Sequence, residues 1–189
     1  MTTRLIALWR GINVGPNKRI AMADLRALLS SLGYTDVQTI LQSGNAVFTN
    51  PGKAAPTAVA ARIEQAVAKQ LGVESKIVVR TAADIAAVIT ANPLRKIATD
   101  PSRHLVGFLS DTPSAVGLKA FAALDIPAPD EVRLIARELY LWCPKGVLDS
   151  PFSKVDWRRQ LGVDVTMRNW NTVSKIAALA TGSPTATPA

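Results

Sequence analysis

Between Arg4 and Arg80 the apolar residues change their spacing in a fixed order, and that order leaves the chain few folds to choose from. Arg4 to Arg10 is a short apolar run ended by Gly11, which reads as a buried strand. Met22, Leu25, Leu28, Leu29 and Leu32 then recur at helical spacing, with Asp24 in the first turn and Gly33 as the stop. Val37 to Gln42 and Ala46 to Thr49 flank Ser43-Gly44-Asn45, whose Gly and Asn tolerate the positive φ of a tight hairpin. After the Pro51-Gly52 break, Val59, Ile63, Ala66, Val67 and Leu71 mark a second helix ending at Gly72, and Lys76 to Arg80 supplies a fourth strand. The order is βαββαβ. A further helix carrying Ile85, Val88 and Ile89 closes the unit at Asn92-Pro93.

The second half repeats this plan more loosely. His104 to Leu109 reads as a strand, Ala115 to Leu124 as a helix, and Val132 to Ile135 with Leu139 to Cys143 as a hairpin. Phe152 to Leu161, a short strand near Val165 to Met167 and a terminal helix follow. Laying Arg168 over Arg80 matches Val173 with Ile85 and Ile176 with Val88, so the two closing strand-helix elements share one apolar register. That register argues for an internal structural duplication. The expected boundaries are a first subdomain over 1–92, a linker over 93–103, a second subdomain over 104–181 and a disordered tail over 182–189, where TGSPTATPA lacks apolar content. Because each unit alone is small, the two are expected to pack through their closing helices.

Composition narrows the chemistry. The 189 residues are 48% hydrophobic, enough for a real core, and no window approaches a membrane span. With no leader-like cleavage pattern at the start, the expected location is the cytoplasm. Cys143 is the only cysteine and His104 the only histidine, which excludes an internal disulfide and nearly excludes His/Cys metal clusters and Ser-His-Asp triads. No metal and no cofactor is expected. A formal charge of +8 and a pI near 10.1 favour anionic partners, although the Lys and Arg are scattered rather than run together.

In a βαββαβ sheet with a split crossover, the first two strands are parallel, and the third is expected to return antiparallel between the first and the fourth. The exit of the first strand, Arg10 to Arg19, then lies at the same end of the sheet as Ser43-Gly44-Asn45. Those loops offer backbone N–H groups for an anion nest at Gly11, Gly15 and Gly44, amides at Asn13 and Asn45, and cations at Arg10, Lys18 and Arg19. The bland alternative is that the glycines permit turns, the asparagines cap backbone groups, and Ile12 and Val14 tuck under the sheet. The Gly11-x-x-x-Gly15 spacing matches neither a P-loop nor a dinucleotide fingerprint. Before the last helix, Asn169 is placed as N-cap and Trp170 on the apolar face with Val173 and Ala177; Arg168, Asn171 and Thr172 read as surplus to that packing, at a helix end where an anion can bind. Cys143 reads as a small buried hydrophobe. Lys154, Arg158 and Arg159 flank Trp157, whose spacing to Leu161 reads as core contact.

Three stretches, IALWRGINVG, LQSGNAVF and TMRNWNTVSKIAAL, together resemble the bacterial family catalogued as domain of unknown function 1697, over Arg4 to about Ala180. The resemblance implies an α+β fold of two ferredoxin-like subdomains and no established activity. The family pattern usually has a second glycine where this chain has Pro16, which removes one N–H from the proposed nest, and a valine where it has Ala46. The motif residues it carries over are Arg10, Gly11, Asn13, Gly15, Ser43, Gly44, Asn45, Arg168, Asn169, Trp170 and Asn171. The expected function is binding of a phosphorylated small molecule or nucleic acid through the basic loop end. An enzyme on an anionic substrate and an interaction module without ligand stand as alternatives, and the loop motifs supply no carboxylate for the former.

Overall fold

In the computed structural model, which describes residues 2–15 and 18–182, the first apolar run is strand β1 (Thr3–Trp9), buried from Leu5 to Trp9 on both faces. Helix α1 (Met22–Ser31) carries Leu25, Leu28 and Leu29 inward, as the spacing requires. Strands β2 (Thr35–Thr39) and β3 (Asn45–Asn50) form the hairpin. Helix α2 (Pro56–Leu71) buries Val59, Ile63 and Val67 along one stripe and ends on Gly72. Strand β4 (Ile77–Thr81) and helix α3 (Ala82–Thr90) complete the first half. The hairpin strand β2 stops short of the expected Gln42 because Leu41 takes a positive φ of 59°, which no strand accommodates.

The second half follows with β5 (His104–Leu109), α4 (Ala115–Ala122), β6 (Glu131–Ile135), β7 (Glu138–Trp142), a 3-10 turn over Pro151–Lys154, α5 (Trp157–Leu161), β8 (Val165–Asn169) and α6 (Trp170–Thr181). The sheets are separate, with orders β2-β3-β1-β4 and β6-β7-β5-β8 and antiparallel neighbours throughout. The same order twice, at the same places in the chain, is the expected duplication. It extends to register: Ile6 stands opposite Arg80 in one sheet, and Val106 opposite Arg168 in the other. Ile85, Val88, Val173 and Ile176 are all buried.

One expectation is corrected. β3 lies between β2 and β1, not between β1 and β4. A strand has two hydrogen-bonding edges; the tight hairpin commits one edge of β3 to β2, so β1 and β4 cannot both flank it: β1 takes the other edge, and β4 pairs with the free edge of β1. The convergence of the β1 exit with the hairpin survives, because β1 and β3 are direct neighbours.

By density of internal contacts the chain divides into two units: one takes the residues up to Ala87 together with those from Ser174 on, the other Val88–Val173. In the first unit Leu5, Ala7 and Trp9 of β1 meet Leu25 and Leu29 of α1, Val59, Ile63 and Val67 of α2, and Tyr34 and Phe48. In the second, Leu109, Leu139, Leu141 and Cys143 pack with Phe152, Trp157 and Leu161, so Trp157 and Cys143 are core, as expected. Pro16, and all of the 182–189 tail except Gly182, lie outside the described residues. No helix among the described residues is long and apolar enough to cross a membrane.

Candidate functional site

At the exit of β1 the ladder does not simply fray. Trp9 N–H donates to the Gly44 carbonyl at 3.0 Å, one step beyond the Leu8–Asn45 pair, so the chain leaves the sheet in contact with the hairpin turn. Gly44 sits at φ 76°, and a Cβ there would stand 2.6 Å from Ile12 Cδ1 and 2.8 Å from Trp9 Cβ. Only glycine lets the hairpin close over Trp9 and the buried Ile12.

Asn13, itself at φ 56°, ties the two loops together. Its Nδ2 donates to the carbonyls of Ile20 (2.9 Å) and Gln42 (2.8 Å), and its Oδ1 accepts from Ile20 N–H (2.8 Å). The first bond closes the β1–α1 loop on itself; the second reaches across to the hairpin. Asn45, fully buried, donates from Nδ2 to the Ile40 carbonyl (2.9 Å) and to Ser43 Oγ (3.2 Å). Both amides are therefore structural braces, and Ile12 tucks inward as the bland reading holds. Val14 does not: it is 68% exposed, and Leu41 on the facing loop is 50% exposed. Lys18 and Arg19 are exposed beside them, as are Gly11, Gly15 and Ser43. Arg10 is half-buried, with its N–H donating to the Lys76 carbonyl (2.8 Å) and its carbonyl accepting from Ser75 Oγ (2.8 Å). Lys76 in turn pairs with Glu64 at 3.0 Å. The expected cluster of Arg10, Gly11, Asn13, Gly15, Lys18, Arg19, Ser43, Gly44 and Asn45 is thus one continuous end of the first unit.

Arg168, Asn169, Trp170 and Asn171 belong to the second unit. Asn169 caps α6 as expected, its Oδ1 accepting from Thr172 N–H (3.0 Å) and from Thr172 Oγ (2.8 Å). The expectation that Arg168 and Thr172 are surplus to the packing is corrected, since both are buried. Arg168 donates to Thr166 Oγ1 (2.9 Å) and to the Met167 carbonyl (2.7 Å), and burial lowers its pKa to about 10. Trp170 is half-buried rather than core. Its ring stacks on His104, with centroids 4.6 Å apart and planes 13° from parallel, while its backbone N–H donates to the Pro101 carbonyl. His104 Nε2 has no hydrogen-bond partner among the described residues, and burial pushes the imidazole down to a pKa of about 4. Burial likewise raises Cys143, and it raises Tyr140 to about 12 with help from Glu138. These shifted groups sit in the packed interior of the second unit, so their proton affinities follow from packing.

A cleft that the sequence reading missed lies elsewhere in the first unit, where α2 begins. About 320 Å³ in volume, it is lined by Tyr34, Asn50, Lys53, Ala58 and Arg62 among others.

The model for the family described as "Protein of unknown function (DUF1697)" matches residues 1–140, which include the first two motif stretches and not the third. No curated protein matches the chain. Among solved structures, the conserved bacterial protein SP0830 from Streptococcus pneumoniae is similar in fold, with a TM-score of 0.75 at 22% identity over 95% of this chain and 99% of that one. With two ferredoxin-like halves and a family model matched over most of its length, the chain belongs to the DUF1697 family of proteins of unknown function.

Proposed function

We propose that the loop end of the first unit is a polyanion-binding surface and that its partner is nucleic acid. The observation that carries this reading is the division of labour within the loops. The amides of Asn13 and Asn45, which would orient a small ligand, are used inside the loops, while Lys18 and Arg19 face solvent beside the aliphatic Val14 and Leu41. A small phosphorylated molecule is held by a concave pocket with convergent polar groups. A phosphate backbone needs only cations spaced along a projecting surface, and apolar side chains beside them tolerate sugars and base edges. The net charge of +8 adds a long-range field of the right sign.

Binding of mixed-sequence single-stranded and double-stranded oligonucleotides, followed by fluorescence anisotropy at low salt, tests the reading. The expected result is binding with little sequence preference that Lys18→Ala with Arg19→Ala weakens by about tenfold or more. If nucleic acid binding ignores these substitutions, the surface assignment fails. If a small phosphorylated compound instead stabilises the protein through Asn13 and Asn45, the phosphorylated small-molecule reading replaces this one.

A further inference from the structure

Where α4 hands over to β6, the second unit holds a cleft of about 510 Å³. Phe121, Leu124 and Val132, which pack against the core of that unit, form its apolar wall. Its charged lining is Asp125, Asp130, Glu131 and Arg133, three carboxylates against one guanidinium in a chain whose formal charge is +8. The guanidinium is already engaged: Arg133 pairs with Glu131 at 2.6 Å, and its Nη1 donates to the Val132 carbonyl at 2.9 Å. Asp125 is exposed, and its carboxylate makes no ion pair or hydrogen bond among the described residues. Helix α4 also ends at Ala122 on this cleft, which brings the negative end of the helix to it.

A group of carboxylates alone is ordinary. What distinguishes this one is Asp130, which is 7% exposed and yet uses only one of its two carboxylate oxygens inside the protein. Its Oδ2 accepts from Ser150 Oγ, and Ser150, buried as well, accepts in turn from Phe152 N–H at 3.2 Å. Those bonds hold the carboxylate from behind. Oδ1 has no hydrogen-bond partner among the described residues. The unpartnered Asn50 Nδ2 of the first unit and His104 Nε2 are sealed from water; Asp130 Oδ1 is not, and the cleft that Asp130 lines is its opening. A carboxylate oxygen kept in so buried a residue without a donor costs free energy, which a cationic donor entering the cleft would remove.

We infer that this cleft is a second binding site, one that takes a small primary amine, with the ammonium on Asp130 Oδ1, Asp125 as the outer countercharge, and a short apolar body against Phe121, Leu124 and Val132. An ammonium donates singly and is served by one free oxygen, whereas a guanidinium gains most from both oxygens of one carboxylate, and Ser150 holds the second. A metal ion fits less well, since among the described residues no three His, Cys, Asp or Glu side chains are grouped to hold one. A volume of about 510 Å³ is that of a small-molecule cleft, and its place in the second unit makes it independent of the loop end of the first.

Phenethylamine, its neutral counterpart phenethyl alcohol, benzylguanidine and the ammonium ion, each titrated at constant ionic strength and followed by amide NMR shifts, form the test. Phenethylamine is expected to give saturable shifts at Ala122, Asp125, Asp130 and Glu131, and to bind about tenfold or more tighter than any of the other three. Asp130→Asn keeps an oxygen for Ser150 and turns an amide donor toward the cleft, so it should abolish binding. Asp125→Lys, at an exposed side chain, should weaken phenethylamine by about tenfold and leave folding stability nearly unchanged; if Asp130→Asn unfolds the protein, this substitution carries the result. Lys18→Ala with Arg19→Ala should leave the shifts as they are, which separates this site from the loop end. Shifts that fail to saturate, that phenethyl alcohol or benzylguanidine reproduces at equal affinity, or that survive Asp125→Lys or a folded Asp130→Asn would overturn the assignment.

Discussion

The two halves close the same topology with loops of very different length. In the first half residues 10–21 join β1 to α1 and residues 40–44 join the hairpin strands. In the second, residues 110–114 and the pair Ala136-Arg137 do the same work, with Ser114 capping α4 through Gly117 N–H. The fold therefore does not require the longer loops. They are not slack either, since Asn13, Gly44 and Asn45 brace them against the end of β1. A long loop that is anchored to the end of a sheet and carries exposed cations is a common form of binding surface mounted on a scaffold. Each half buries an arginine, on β4 and on β8, but the second half alone adds an imidazole stacked on an aromatic ring, His104 on Trp170, inside.

The largest expected effect breaks this comparison from the side of the second half. His104 has its pKa lowered from 6.5 to about 4, so the folded protein holds it neutral while the unfolded chain takes up a proton. Its contribution is complete above pH 6.5 and is lost as pH falls toward 4, on the order of 3 kcal/mol in full. Urea unfolding between pH 7 and 4 should show that loss, and His104→Phe, which keeps the stack without the titrating nitrogen, should flatten it. The same slope in both proteins would place the acid sensitivity elsewhere.

A smaller effect addresses the brace in the first half. Gly44→Ala forces a Cβ into Ile12 and Trp9 at a positive φ, which should cost about 2–3 kcal/mol in denaturant midpoint. At the second hairpin Ala136 already holds a φ of 52°, and Ala136→Gly should stabilise slightly. If both substitutions cost little, the two turns are equivalent and the first is not braced. Asn13→Ala comes next, removing three hydrogen bonds at a loop between half-buried and exposed, for about 1–2 kcal/mol. Hydrogen exchange should then quicken in residues 10–21 and not in 110–114.

The order of elements was legible because apolar spacing is a local property, and the meeting of the two loops followed from which strands neighbour each other. The exchange of neighbours around β3 was misjudged by counting connections without counting the edges each strand has to offer. What was not legible depends on residues far apart in sequence. Gly44 reads as a turn residue until Ile12 and Trp9 are seen against it, and Trp170 reads as core until His104 is found under its ring. Arg80 and Arg168 carry charge, which on sequence alone points to the surface, yet both are buried with an Nη1 on the carbonyl of the preceding residue. Asn50 gave no signal at all, since an unpartnered amide is a property of its surroundings.

The most direct measurement is the salt dependence of oligonucleotide affinity for the wild-type protein and for Lys18→Ala with Arg19→Ala, each across the same range of salt. If the loop end contacts phosphates, log affinity falls linearly with log salt, and the double substitution reduces the slope by about 2, because each cation removed no longer displaces a counterion. Folding stability should differ by less than about 0.5 kcal/mol, since both side chains are exposed. An unchanged slope, or affinity that does not respond to salt, would contradict the assignment of the long loops of the first half to nucleic acid binding.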